Sequence, residues 1–118
     1  MAQFMLLIYG DPANAPGPDE EAAQLEAWTN YTNSLVASGA MVSGAPLEDA
    51  EQAVTLRSRN GELQRSDGAA VDTPEMLGGF YVVEAADQAA AEAMAAQMPN
   101  IEYGSVEVRP VVVFPAGA

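Results

Sequence analysis

Apolar positions fall in short bursts separated by turn residues. Phe4 to Tyr9 (FMLLIY) is a continuous apolar run closed by Gly10-Asp11-Pro12, the pattern of a strand buried on both faces. Pro16-Gly17-Pro18 then punctuates the chain. Asp19, Glu20 and Glu21 suit the positive end of a helix dipole, and Leu25, Trp28, Thr32 and Leu35 recur at helical spacing before Gly39. Together they predict a helix from Asp19 to Ser38. A short strand is expected at Met41 to Ser43, with Gly44-Ala45-Pro46 turning the chain and Glu48 to Glu51 in a surface loop.

Val54, Leu56 and Ser58 alternate with Thr55, Arg57 and Arg59 before Asn60-Gly61, the strongest two-residue hairpin signal, and Glu62 to Arg65 return as the second strand. After a loop from Asp67 to Gly79, Phe80 to Glu84 (FYVVE) is β-branched and aromatic. Asp87 can then cap an Ala-rich helix running to Pro99, whose stripe Ala91, Met94, Ala95 and Met98 reads as core packing. Val106 to Arg109 alternates again. Pro110 has no N–H to give a ladder, so a bend or bulge is expected there before the apolar run Val111 to Phe114.

The order β-α-β(ββ)-α-β predicts an α+β fold, a ferredoxin-like βαβ-repeat sandwich with an antiparallel sheet, and the 118 residues suit a single domain spanning 1–118. Two helices cover only one face of such a sheet, yet FMLLIY, FYVV and VVVF carry apolar side chains on both faces. The second face needs its own cover. A homodimer packed through the open sheet face supplies it; a monomer would leave that face half wet.

Composition narrows the chemistry. Four basic residues against 17 acidic ones give a net charge of −13, which repels phosphate backbones and anionic headgroups, so neither nucleic acid nor a membrane surface is an expected partner. With no cysteine and no histidine, disulfides, thiolate nucleophiles and the commonest general base are excluded. No cofactor and no metal are expected, since the carboxylates lack the spacing of a calcium loop. The N-terminus has no basic region, and no apolar stretch nears the ~20 residues of a membrane span, which makes a cytoplasmic location the expectation.

MLLIYGD at Met5 to Asp11, WTNYTNSLVASGAMVSGAPL from Trp28 to Leu47, DGAAVDTPEMLGGFYVVEAAD from Asp67 to Asp87 and GSVEVRPV from Gly104 to Val111 together resemble the YCII-related, DGPF-type family. The resemblance implies a dimeric α+β barrel, an architecture that relatives use for small enzymes acting on aromatic or polyketide-like molecules. Asp67-Gly68 is followed here by Ala69-Ala70, where the family usually has proline and phenylalanine. The histidine–aspartate pair ascribed to some relatives cannot form in a chain without histidine.

Asp67 is the best candidate for a catalytic group, at a strand exit where Tyr9, Asp11 and Tyr81 are expected to line a ligand pocket, with Arg57 as its basic member and Ala69 to Gly79 as a lid. Each has a plainer reading. Asp67 before Gly68 is ordinary turn chemistry. A type I′ turn would pair Arg57 with Gln64 and Arg59 with Glu62, and would set Arg65 opposite Leu56 on the other side of the hairpin. Trp28, the only tryptophan, fits a helical core stripe.

Two functions follow. One is a homodimer that binds a small molecule between sheet and loops, as a cofactor-independent enzyme or binding protein, with Asp67 and Arg57 converging. The alternative is a non-catalytic interaction or regulatory module of the kind found near sigma-factor-type transcription regulators, with no convergent pocket.

Overall fold

Strand β1 (Ala2–Gly10) lies at the centre of the computed structural model, whose described residues are 1–14, 16–71 and 73–114. It is followed by α1 (Glu21–Ser38), β2 (Met41–Pro46), β3 (Val54–Arg59), β4 (Glu62–Asp67), β5 (Met76–Ala85), α2 (Gln88–Ala95) and β6 (Gly104–Pro110). The main sheet runs β2-β5-β1-β6 with every neighbouring pair antiparallel, and β3 and β4 form a separate two-stranded ribbon. This is the ferredoxin-like α+β arrangement with a hairpin inserted between its second and third sheet strands. The sheet of one chain does not close into a barrel: β2 and β6 are its edges.

Period-two alternation divides β1 and β5 between two environments. Phe4, Leu6, Val83 and Ala85 point at the helices and form the core with Tyr31, Leu35, Ala91, Ala95 and Met98. Met5 and Leu7 lie on the opposite face, paired across the strands with Val82 and Phe80, and all four are half-buried. Both helices pack against the first face, so among the described residues no helix covers the second.

Local chemistry explains where several elements begin and end. The Asp87 carboxylate accepts the Ala90 N–H at 2.9 Å, an N-cap that contributes about 1 kcal/mol. Asn60 at φ 54° and Gly61 at φ 80° make the tight ribbon turn, a backbone that glycine adopts without strain.

Four expectations need correction. First, β5 starts at Met76 rather than Phe80, because Met76 and Leu77 pair with Gly10 and Tyr9; the irregularity falls between Ile8 and Tyr9, where Gly78 is skipped in the pairing. Second, Gly44 to Pro46 do not turn the chain but extend β2, with Pro46 opposite Gly79 on an edge strand, where a missing N–H is tolerated. Third, α2 ends at Ala95, and turns lead on to Asn100. Fourth, β6 pairs with β1 without interruption from Gly104 to Pro110. The Val111 N–H bonds the Gln3 carbonyl, so the preceding position, Pro110, faces away from the ladder and its missing donor costs nothing. Among the described residues no helix is long and apolar enough to cross a membrane.

Candidate small-molecule pocket between helix α1 and the sheet

Leu25, Trp28 and Thr32 lie three and four residues apart, which places them on one stripe of α1 above the sheet. Tyr81 pairs with Leu6, so it points to the same side of the sheet as the buried core and meets this stripe. Trp28, Tyr31 and Tyr81 form an aromatic triad with ring centroids 5.9 to 6.2 Å apart, edge-on between Trp28 and Tyr31 at 88° and tilted elsewhere. The Tyr81 and Thr32 hydroxyls are 2.5 Å apart, and the Tyr31 hydroxyl donates to the Met94 carbonyl at 2.8 Å.

Beside this triad opens a cavity of about 350 Å³. Ile8, Leu25, Trp28, Pro46 and Tyr81 bound it, and the backbone of Gly78 and Gly79 forms its floor. A Cβ at Gly79 would stand 3.0 Å from the Ala45 carbonyl, so glycine lets β2 and β5 close up here. The cavity is apolar, with the Tyr81 phenol as its polar edge. Such a site suits a small, flat, largely hydrophobic molecule.

Burial, and secondarily the nearby Tyr81 phenol, pushes the Tyr31 hydroxyl up to about 12. In the unfolded chain the same phenol ionises near 10. Below that pH its contribution to stability is fully present. Between about 10 and 12 the unfolded state loses the proton first, so stability falls as pH rises. Wild type is therefore expected to lose urea resistance between pH 10 and 12 more steeply than Tyr31→Phe. The variant starts less stable by about 1 kcal/mol, for the lost bond to Met94, and closes the gap at high pH. Parallel pH profiles for the two proteins would refute the assignment.

The five residues expected to converge lie in separate places. Tyr81 is in the pocket. Tyr9 projects from the opposite face of the sheet and donates to Glu107 Oε1 at 3.3 Å; burial first, and then Glu107, raise its pKa. Asp11 accepts the Ala13 N–H at 2.9 Å and shapes a short turn. Arg57 donates to the Ala70 carbonyl at 3.2 Å. Asp67, with its side chain 82% exposed, pairs with Arg65 at 3.1 Å, an interaction of small net value. Asp67 also edges a more polar hollow of about 560 Å³ that it shares with Asp49, Glu51, Val71 and Met76.

Strand parity explains the separation. Tyr9 follows Ile8 on the strand and so points away from it, whereas Tyr81 sits opposite Leu6. On the ribbon Arg57 is opposite Gln64 and Asp67 opposite Val54, which puts them on opposite faces. The expected lid divides too. Met76 to Gly79 belong to β5, while Val71, Thr73 and Glu75 border a hollow with Tyr9, and Glu75 accepts from Ser105 at 2.5 Å. Asp72 lies outside the described residues. The pocket members that sequence reasoning missed are Ile8, Leu25, Ala45, Pro46, Gly78 and Gly79, and Trp28, half-buried and packed against the core, also forms a wall of the pocket. The i, i+3 pair Leu25 and Trp28 was the signal available in the sequence.

Element order, antiparallel pairing and one-sided helices define a ferredoxin-like α+β sandwich with an apolar pocket under its first helix. The chain belongs to the YCII-related family: the YCII-related domain model matches residues 2–115. An uncharacterised protein of Rhizobium meliloti (strain 1021) is 30% identical over 118 residues, covering 97% of this chain and 95% of that protein. Among solved structures, the 5-chloro-2-hydroxyhydroquinone dehydrochlorinase of Burkholderia phenoliruptrix AC1100, in complex with 2,5-dihydroxybenzoquinone, matches with a TM-score of 0.50 and 18% identity, covering 92% of this chain and 93% of its own. At that identity the likeness is one of fold.

Proposed function

We propose that this chain is a cytoplasmic homodimer, paired through the open sheet face, that holds a small, planar, hydroxylated ring between α1 and β5 and acts on it without a cofactor. The carrying observation is the apolar cavity walled by Trp28 and Tyr81, with the Tyr81 and Thr32 hydroxyls 2.5 Å apart at its margin. Aromatic walls favour a flat ring, and a phenol beside it offers one directed hydrogen bond. The solved structure of matching fold holds a dihydroxybenzoquinone, which lends support to this class of ligand. With no histidine or cysteine in the chain and no carboxylate lining the cavity among the described residues, proton transfer to the ring falls to the Tyr81 hydroxyl. The dimer is supported by the contiguous half-buried patch Met5, Leu7, Phe80 and Val82 on the face that no helix covers.

Trp28 is the only tryptophan, so its fluorescence reports on the pocket directly. Titration with 2,5-dihydroxybenzoquinone is expected to quench it saturably. Tyr81→Phe should weaken binding by roughly tenfold, the effect of one hydrogen bond of about 1.4 kcal/mol. Leu25→Trp adds a second fluorophore at the pocket mouth, so its binding is read by calorimetry and is expected to be lost. Quenching that never saturates, together with unchanged calorimetric titrations for both variants, would sink the proposal.

A further inference from the structure

The β3–β4 ribbon is two-faced. On one side lie Thr55, Arg57, Arg59, Glu62, Gln64 and Ser66; on the other, Val54, Leu56 and Leu63 make an apolar run that shares its face with Ser58 and the paired Arg65 and Asp67. Among the described residues nothing covers that run, with Val54 46%, Leu56 58% and Leu63 73% exposed. A lone two-stranded hairpin is marginal in water, and every residue of β4 is exposed. The ribbon also reaches outward. The chain measures 49 × 48 × 18 Å with a radius of gyration of 16.5 Å, against about 13.5 Å for a compact domain of this length.

A second exposed apolar segment, Val112, Val113 and Phe114 at 72%, 80% and 75%, follows β6. The two segments leave opposite ends of the sheet. The ribbon departs between Pro46 and Met76, beside Gly79 and Gly10; the C-terminal run continues past Pro110, beyond Phe4 and Gln3. Charge is divided in the same way. Arg57, Arg59 and Arg65, three of the four basic residues, lie on the ribbon beside only Glu62 and Asp67, which leaves fifteen of the seventeen acids elsewhere on the chain. A second copy is therefore a surface of opposite charge for the ribbon.

We propose that the ribbon is a clasp between copies: Val54, Leu56 and Leu63 of one chain seat on Val112 to Phe114 of the other, and the reverse contact forms about the two-fold axis. A two-fold that reverses strand direction brings each ribbon to the end of the sheet from which the partner's tail leaves. This inference rests on the dimer proposed above.

The test is cross-linking of the otherwise cysteine-free chain. Leu63→Cys combined with Val113→Cys is expected to give, on mild oxidation, a covalent dimer in high yield, whereas each single variant gives little. Leu56→Ser with Leu63→Ser should raise the dimer dissociation constant at least about tenfold, and residues 54–67 should be protected from hydrogen exchange in the dimer. A wild-type dimer in which the ribbon exchanges freely and the double cysteine variant fails to cross-link overturns the clasp and leaves the open-face pairing standing. A protein that stays monomeric at all concentrations overturns both.

Discussion

Leu7→Glu is expected to convert the proposed dimer into a folded monomer. Leu7 sits at the middle of the open face, paired with Phe80 on one side and Glu107 on the other. In the monomer a carboxylate there is exposed beside the like charge of Glu107, which costs the isolated chain about 0.2 to 1 kcal/mol and leaves it folded. In the dimer it must enter an apolar interface beside Met5, Phe80 and Val82. Burying an unpaired charge costs several kcal/mol, and an isologous interface repeats the insult in both chains. The dissociation constant should rise by at least about a thousandfold, the equivalent of about 4 kcal/mol. Sedimentation velocity across a dilution series reads this directly, and unchanged circular dichroism shows that the fold survives. Val36→Glu, on the 60% exposed surface of α1, is the control and should leave the dimer intact. A Leu7→Glu protein that sediments as wild type would mean that the open face is not the interface.

The sheet face that no helix covers was legible in the sequence because it is a matter of counting. Runs such as FMLLIY place apolar groups on both sides of a strand, and two helices cannot cover both. The hairpin was equally legible, since Asn60-Gly61 has few alternatives to a tight turn, and the observed register sets Arg57 and Arg59 against Gln64 and Glu62. Asp87 capped its helix for the same kind of local reason.

The site was not legible, because it depends on parity. Whether Tyr9 and Tyr81 share a face is decided by which residues of β1 and β5 are opposed, and by the irregularity between Ile8 and Tyr9. No local signal announces either. Gly78 and Gly79 looked like the end of a loop, and only strand pairing turns them into the floor of a cavity. Trp28 illustrates a further limit. A residue at helical spacing on a core-facing stripe is indistinguishable, from sequence, from one that stands at the end of that stripe where the core runs out and a pocket begins.

The same parity makes neighbouring residues answer to different experiments. Leu6, next to Leu7, is fully shielded at 0% exposure and packs in the cluster that joins β1 and β5 to both helices. Leu6→Ala removes three methyl-sized groups from a region with no room to collapse without moving a helix. The expected loss is about 3 kcal/mol, a large share of the roughly 5 to 15 kcal/mol that holds a domain of this size. Urea unfolding monitored through Trp28 should show the midpoint falling with little change in slope. The loss should be the same when Leu6→Ala is placed in the Leu7→Glu background, because the cavity lies inside one chain. Leu7→Ala should behave oppositely: its cost should appear in the dimer and nearly vanish in the monomeric background, since the contacts it loses belong to the partner. Equal costs for Leu6→Ala and Leu7→Ala in the monomer would place both side chains in one core, and the division of the sheet into a helix face and a pairing face would fail with it.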